Sequence, residues 1–171
     1  MKKAIFLDRD GVLNKLILRN GKLQAPYELQ EFELYPGVIE ALKLIKEKGY
    51  LAIVVTNQPD VSRGWVSMES VELVNNKILE LLAVDDIKCC FHDNSAQCLC
   101  RKPLPGMLIE AAQEWGIDLK KSFMIGDRYG DIKAGHSAGC TTILIGEGDT
   151  QGDHPSPDYK SDLLINAMDF I

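Results

Sequence analysis

No apolar run in this 171-residue sequence approaches the roughly 20 residues that a bilayer-crossing helix needs. The chain begins almost at once on a strand-like segment, with nothing that reads as a signal peptide, so the expected location is the cytoplasm. Positive charge is not in excess either: 19 Lys and Arg stand against 25 Asp and Glu, a net charge of −6. That balance argues against general affinity for nucleic acid or a membrane surface, and an anionic ligand would need locally placed cations. There is no internal repeat, no low-complexity tract and no stretch large enough for a second domain. Cysteine is scarce, and five in a reducing compartment point to metal ligands or buried thiols in place of disulfides. What remains is a chain that is 46% hydrophobic, enough for one compact domain over residues 1–171, expected to be a monomer.

The pattern alternates strands with helices. Lys3–Leu7 is an apolar run that ends in Asp8-Arg9-Asp10-Gly11. Residues 14–35 have no clean period, but Asn20-Gly21 reads as a turn and Pro26 as a breaker, as in a small hairpin flap. Pro36-Gly37 opens a helix with Val38, Leu42 and Ile45 inward, ended by Gly49. Tyr50–Val55 is continuously apolar, as in a strand buried on both faces. Ser67 caps a helix with Val71, Val74, Ile78 and Leu81 inward. Ile87–Phe91 reads as a strand, and Pro105 begins a helix with Leu108, Ala111, Ala112 and Trp115 inward. Ser122–Gly126 is a strand, 131–138 a short helix, and Thr141–Gly146 a fifth strand. Residues 147–160 read as a loop, after which Ser161-Asp162 caps a last helix. Such alternation predicts an α/β fold: a mostly parallel sheet with helices on both faces and no large cap domain.

Four strands then deliver polar residues to one edge, where open α/β sheets bind ligands. The first brings Asp8 and Asp10, the second Thr56, Asn57 and Gln58. Arg101 and Lys102 follow the third, and Asp127 and Asp131 the fourth. Closely spaced like charges at a strand end call for a partner, and a hard divalent cation is the simplest. Carboxylates that hold Mg²⁺, with Lys and Thr for the equatorial oxygens, are what metal-assisted phosphoryl transfer requires. A carboxylate can also attack phosphorus itself, splitting one hard step into two.

Asp8-x-Asp10, Thr56, Lys102 and Gly126-Asp127-x-x-x-Asp131 resemble, in order, the four motifs of the haloacid dehalogenase (HAD) superfamily of phosphatases, with its three-layer Rossmann-like fold. The resemblance implies that Asp8 is the nucleophile and Asp10 the general acid/base. It places Mg²⁺ on the Asp8 side chain, the Asp10 main-chain carbonyl and Asp127. Thr56 and Lys102 would hold the phosphoryl group, with Asn57 and Gln58 beside them at the substrate, and Asp131 would support the metal from behind. Asp131 reads equally as an acid placed against a helix N-terminus.

Cys90-Phe91-His92 and Cys98-Leu99-Cys100 offer three thiolates and an imidazole, a closed tetrahedral set for a structural Zn²⁺. The polar stretch between them, Asp93–Gln97, is too polar to pack, and zinc would order it. Cys89 and Cys140 sit in apolar surroundings and read as core. This loop, with Asp8-Arg9-Asp10-Gly11 and Thr56-Asn57-Gln58, is similar to one branch of the superfamily. That branch contains heptose 1,7-bisphosphate 7-phosphatases and histidinol-phosphate phosphatases, and Asn14 follows the heptose pattern. The resemblance implies a phosphorylated metabolite as substrate, most closely a sugar bisphosphate, with Arg101 reading its far end and Arg63 and Arg128 at the rim.

Two departures keep the histidinol reading open. Pro59-Asp60 stands where the heptose enzymes usually have Ser-Gly, and only five residues separate His92 from Cys98. Arg128 after Asp127 also occurs on the histidinol side. A zinc-bearing module that merely binds sugar phosphates is the non-enzymatic alternative, but such a module has no use for a nucleophilic Asp8.

Overall fold

The computed structural model describes residues 1–149 and 155–171. Its centre is a six-stranded sheet built from β1 (Ala4–Leu7), β4 (Leu51–Asn57), β5 (Asp86–Cys90), β6 (Phe123–Gly126), β7 (Thr141–Ile145) and β8 (Tyr159–Ser161). The spatial order is β5-β4-β1-β6-β7-β8, and every neighbouring pair is parallel. The all-apolar runs foreseen for the central strands follow from this placement, since β1 and the middle of β4 are covered on both faces.

Alternate residues of these strands feed two cores. Ile5, Leu7, Val54 and Ile143 point to one side, against Leu42 and Ile45 of helix α1 (Val38–Glu47) and Val74 and Ile78 of α2 (Met68–Leu81). Phe6, Ile53, Val55 and Met124 point to the other, against Met107, Leu108 and Ala111 of α3 (Gly106–Trp115) and Ala134 of α4 (Tyr129–Ala138). The result is a three-layer α/β sandwich, each fully buried aliphatic side chain contributing about 1.5–3 kcal/mol.

Between β1 and α1 the chain forms a two-stranded hairpin, β2 (Ile17–Arg19) and β3 (Lys22–Gln24), and one 3-10 turn at Leu29–Glu31. Asn20 and Gly21 both have positive φ, 50° and 75°, as a tight two-residue hairpin turn demands. Nothing larger is inserted there. Among the described residues no helix is long and apolar enough to cross a membrane.

Several expectations need correction. The segment expected as a loop up to residue 160 contains β8, a three-residue edge strand; residues 150–154 of that expectation lie outside the described residues. The last helix, α5 (Leu164–Ala167), is a single turn capped at Leu163, and Ser161 belongs to β8. Asp162 accepts instead from the Leu163 amide and the Asn166 side chain, at 2.9 and 2.7 Å. Leu81 is exposed and Leu82 takes the inward position, because the buried stripe steps by four residues from Ile78. Helix α4 begins two residues before Asp131. Cys140 is buried as expected, whereas Cys89 is only partly so.

Candidate active site

β1 ends at Leu7, so Asp8 emerges at the carboxyl edge of the central strand and is 8% exposed. Its Oδ1 accepts from the Arg9 amide at 2.8 Å and lies 2.9 Å from Lys102 Nζ. Lys102 is itself 5% exposed, and its ammonium also reaches Asp131 Oδ1 at 2.6 Å and the Val55 carbonyl at 2.7 Å. All three donors of the lysine are thereby spent on fixed oxygens, which locks it between two carboxylates. Its pKa is driven upward by Asp131 and Asp8 against the desolvation that burial imposes.

Asp131 stands in the first turn of α4, and its Oδ2 accepts from the Arg128 amide at 3.0 Å. The sequence left two roles open for this acid, and the geometry combines helix capping with the Lys102 ion pair. Asp8, Asp127 and Asp131 each present a carboxylate oxygen within 4.8 Å of the others. Two glycines permit this crowding: a Cβ on Gly11, whose φ is +92°, would lie 2.2 Å from Asp127 Oδ2, and one on Gly126 would lie 2.1 Å from Asp131 Cβ. Burial, together with Asp8 and Asp131, pushes Asp127 up to about 8, and burial raises Asp8 to about 6 although Lys102 opposes it. Asp127 Oδ1 is buried without a hydrogen-bond partner among the described residues. A trio of crowded, desolvated carboxylates with an orphaned oxygen fits a small divalent cation.

The Asp10 side chain stays out of that trio. Its Oδ1 accepts from Asn14 Nδ2 at 2.9 Å and its Oδ2 from Gln58 Nε2 at 2.6 Å, while Arg9 Nε lies 3.2 Å from both oxygens. Arg9 is fully buried, and its Nη1 donates to Asn75 on α2 at 2.8 Å. Arg9 and Asn75 were not singled out from the sequence. The available signal was a charged residue at the end of a strand buried on both faces, where a guanidinium needs a partner.

The second strand edge behaves partly as expected. Thr56 is buried and its Oγ1 accepts from Gln58 Nε2 at 2.9 Å. Asn57, expected at the substrate, exchanges two bonds with the Lys102 backbone, at 2.9 and 3.1 Å. It therefore clamps the end of β4 to the segment that carries the lysine, while still facing the cavity. Gln58 reaches Asp10 and Thr56, so its amide orients the acid.

Asp8, Asp10, Asn57, Gln58, Lys102 and Asp131 line a cavity of about 1110 Å³, whereas Thr56 lies buried behind it and Asp127 lines a smaller neighbouring cavity with Gly11 and Val12. Asp8 and Asp10 form part of its floor, and Arg19, Arg63, Arg101 and Arg128 stand on its walls. Arg101 is tethered by Nε to Asn94 Oδ1 at 2.9 Å and by Nη1 to the His92 carbonyl at 3.1 Å. Directly before it lies the second cluster. The Sγ atoms of Cys90, Cys98 and Cys100 and a ring nitrogen of His92 all fall within 4.8 Å of one another. Cys90 Sγ is 3.1 Å from Cys100 Sγ and 3.9 Å from Cys98 Sγ, and His92 Nδ1 is 3.3 Å from Cys100 Sγ. Four soft or borderline ligands converging at one point fit a tetrahedral Zn²⁺, whose bonds of about 2.0–2.3 Å place neighbouring ligands at such separations.

Comparison with known proteins agrees with the architecture. A family model described as HAD-hyrolase-like matches residues 99–169. D-glycero-beta-D-manno-heptose-1,7-bisphosphate 7-phosphatase of Pasteurella multocida is 39% identical over 160 residues, covering 86% of this chain and 84% of that protein. The D-glycero-alpha-D-manno-heptose-1,7-bisphosphate 7-phosphatase of Photorhabdus laumondii is 37% identical, over 96% of this chain and 91% of its own. Among solved structures, the D,D-heptose 1,7-bisphosphate phosphatase of B. bronchiseptica, complexed with magnesium and phosphate, superposes with a TM-score of 0.84 at 27% identity, covering 98% and 97% of the two chains. With Asp8 at the end of the central strand, the buried Lys102 and the Asp8, Asp127 and Asp131 trio in the family's order, this chain belongs to the HAD phosphatases, in the family that includes the heptose-bisphosphate 7-phosphatases, and is a phosphoric monoester hydrolase.

Proposed function

We propose that the protein is a Mg²⁺-dependent phosphatase that removes the 7-phosphate of a D-glycero-D-manno-heptose 1,7-bisphosphate, with a zinc ion bracing one wall of the site. The observation that carries this reading is the cavity itself. Asp8, Lys102 and Asp131 line it as one ion-paired group, and Arg63, Arg101 and Arg128 line it as well without bonding to Asp8 among the described residues. A substrate with one phosphate to cleave and a second to be held matches that division.

Asp8 attacks phosphorus, the bond to the sugar oxygen breaks, and the phosphoryl group passes to the carboxylate. Asp10 gives its proton to the departing oxygen, then takes one from the water that hydrolyses the aspartyl phosphate. Arg9, Asn14 and Gln58 hold Asp10 in place between the two steps. Lys102 keeps Asp8 oriented and offsets charge on the transferring group. Asp8, Asp127 and the Asp10 main-chain carbonyl would hold Mg²⁺, with Asp131 supporting them, and the ion would supply charge neutralisation at the phosphoryl oxygens. Thr56, buried at the end of β4, is assigned to the phosphoryl site, and Arg101 and Arg128 to the second phosphate.

Cys90, His92, Cys98 and Cys100 would hold a Zn²⁺ ion, and four protein ligands would give it a structural role. The whole described chain works as one catalytic unit.

A hydrolysis screen over phosphorylated metabolites with Mg²⁺ present tests the assignment. The heptose bisphosphate should be turned over fastest, with histidinol phosphate far behind; the reverse order would overturn it. Asp8→Asn should abolish turnover with the fold intact, and near-wild-type turnover by that variant would exclude Asp8 as nucleophile.

A further inference from the structure

The residue that departs from the heptose pattern, Asp60, is not a free acid at the mouth of the site. Its Oδ2 accepts from the Tyr27 hydroxyl at 2.9 Å and its Oδ1 from Arg63 Nη1 at 2.9 Å. The side chain is 14% exposed, so each of its oxygens is matched to one donor in a half-dry setting. The Tyr27 pKa is raised by burial first and then by Asp60, which keeps the phenol protonated as the donor.

The Tyr27–Asp60 bond joins two pieces of chain 33 residues apart in sequence. Tyr27 lies at the root of the β2–β3 hairpin, where the Arg19 guanidinium packs 4.0 Å from its ring centroid. Arg19 in turn donates to the Ala25 carbonyl at 2.8 Å and pairs with Glu31, whose carboxylate also accepts from the Tyr27 amide. Asp60 lies in the turn after β4, whose backbone is folded on itself by bonds from Arg63 to the Pro59 carbonyl and from Trp65 to the Asp60 carbonyl. The same turn begins at Gln58, the residue that holds Asp10. One carboxylate thus ties the hairpin to the turn that follows β4.

Asp60 also determines what Arg63 can do. A guanidinium carries five donors in a fixed fork, and the bond to Asp60 uses one. With its plane set by that bond and by Trp65, 5.3 Å away, Arg63 presents a pre-oriented cation on the cavity wall.

We propose that Asp60 is a specificity-determining positioning residue: through Tyr27 and Arg63 it fixes the flap-side wall of the cavity, so that Arg63 joins in holding the phosphate that is not cleaved. The inference rests on the bisphosphate reading above, which supplies the second phosphate. Its negative charge is consumed internally, so it does not attract an ammonium group on a substrate.

Steady-state kinetics on wild type, Tyr27→Phe, Asp60→Ala and the double variant test it, using heptose 1,7-bisphosphate and the corresponding 7-monophosphate. Tyr27→Phe should raise KM for the bisphosphate about tenfold, the size of one hydrogen bond to a charged group, with kcat within about twofold. Asp60→Ala should raise it further, because Arg63 is also released. Adding Tyr27→Phe to Asp60→Ala should change nothing, since the shared bond is already gone. All four proteins should agree within about twofold on the monophosphate. Thermal unfolding of each variant separates a loosened wall from a lost fold. Additive effects, or equal losses on both substrates in well-folded variants, would overturn the proposal. So would a selective loss of histidinol phosphate turnover on Asp60→Ala, which would mean that Asp60 reads an ammonium directly. If the wild type fails on the bisphosphate and prefers another ester, the substrate reading has failed. The same four-protein cycle on that ester then decides the tether alone, because additivity there would still overturn it.

Discussion

Arg9 shows what a single residue within the Asp8-x-Asp10 motif can do through its neighbours. It occupies the position between two aspartates, at the end of a strand covered on both faces, and is fully buried. A desolvated guanidinium is costly unless its charge and donors are matched. Here Asp10 supplies the charge, with Nη2 3.1 Å from Oδ2 although that nitrogen has no hydrogen-bond partner among the described residues, and Asn75 supplies an acceptor for Nη1 from α2. The arginine therefore ties Asp10 to the helix layer. Replacing it by methionine keeps the volume of the stem but strands a carboxylate that is 12% exposed. The expected loss is about 3 kcal/mol of stability in urea denaturation, together with a large drop in kcat. An Arg9→Met protein as stable and active as wild type would show that Asn14 and Gln58 suffice to hold Asp10. Asp10→Asn should fold normally yet turn over slowly, most severely on alkyl phosphates, whose leaving oxygen needs the proton. Had the residues been read for burial as well as for motif, the arginine was legible, because a charge in that position cannot be solvated. Tyr27 was not: nothing in an irregular segment reveals a partner 33 residues away.

At the scale of elements, β5 and the Cys/His loop that follows it act together as a bracket for Lys102. Cys90 closes β5, and Cys98 and Cys100 come immediately before Arg101 and Lys102. Asn57 at the end of β4 clamps the Lys102 backbone from the opposite side. Metal-purified protein should carry close to one zinc per chain, and activity should still require added Mg²⁺. Cys100→Ser should release zinc and cut kcat/KM by at least tenfold while the sheet persists by circular dichroism. A zinc-free protein of full activity would sink the bracket. The central strands were readable because burial on both faces leaves an unbroken apolar run, as in Tyr50–Val55, and the loops at their ends carry the site. β8 was not, since Tyr159-Lys160-Ser161 is a three-residue edge strand with two exposed positions and no apolar alternation. The inward turn from Ile78 to Leu82 was missed for a related reason: spacings of three and four fit a 3.6-residue period equally well.

Taken as a whole, the molecule gathers its acids where the sheet edge is driest, and its stability should record this. Asp8 and Asp127 sit in the folded protein at about 6 and about 8, against an ordinary value of 3.8, with burial as the largest cause in each. Both therefore bind protons more tightly folded than unfolded. Where the folded state holds more protons, stability falls as pH rises. Without Mg²⁺, and with zinc retained, the melting temperature should decline steadily from about pH 4 to about pH 8, first through Asp8 and then through Asp127. Other acids act outside this window: Asp86, Asp158 and Glu31 are held below their usual values, so their contribution is lost only as pH falls below about 4. A divalent cation competes with the protons for the same oxygens and binds the ionised acids. Added Mg²⁺ should thus raise the melting temperature little at pH 5 and progressively more toward pH 8, by the linkage that any ligand of the folded state obeys. Asp127→Asn should flatten the metal-free decline above pH 6 and remove most of the Mg²⁺ effect. A melting temperature that is flat or rises over pH 5–8 without Mg²⁺ would show that Lys102 alone balances the trio, and that the site does not depend on a cation to tolerate three ionised carboxylates.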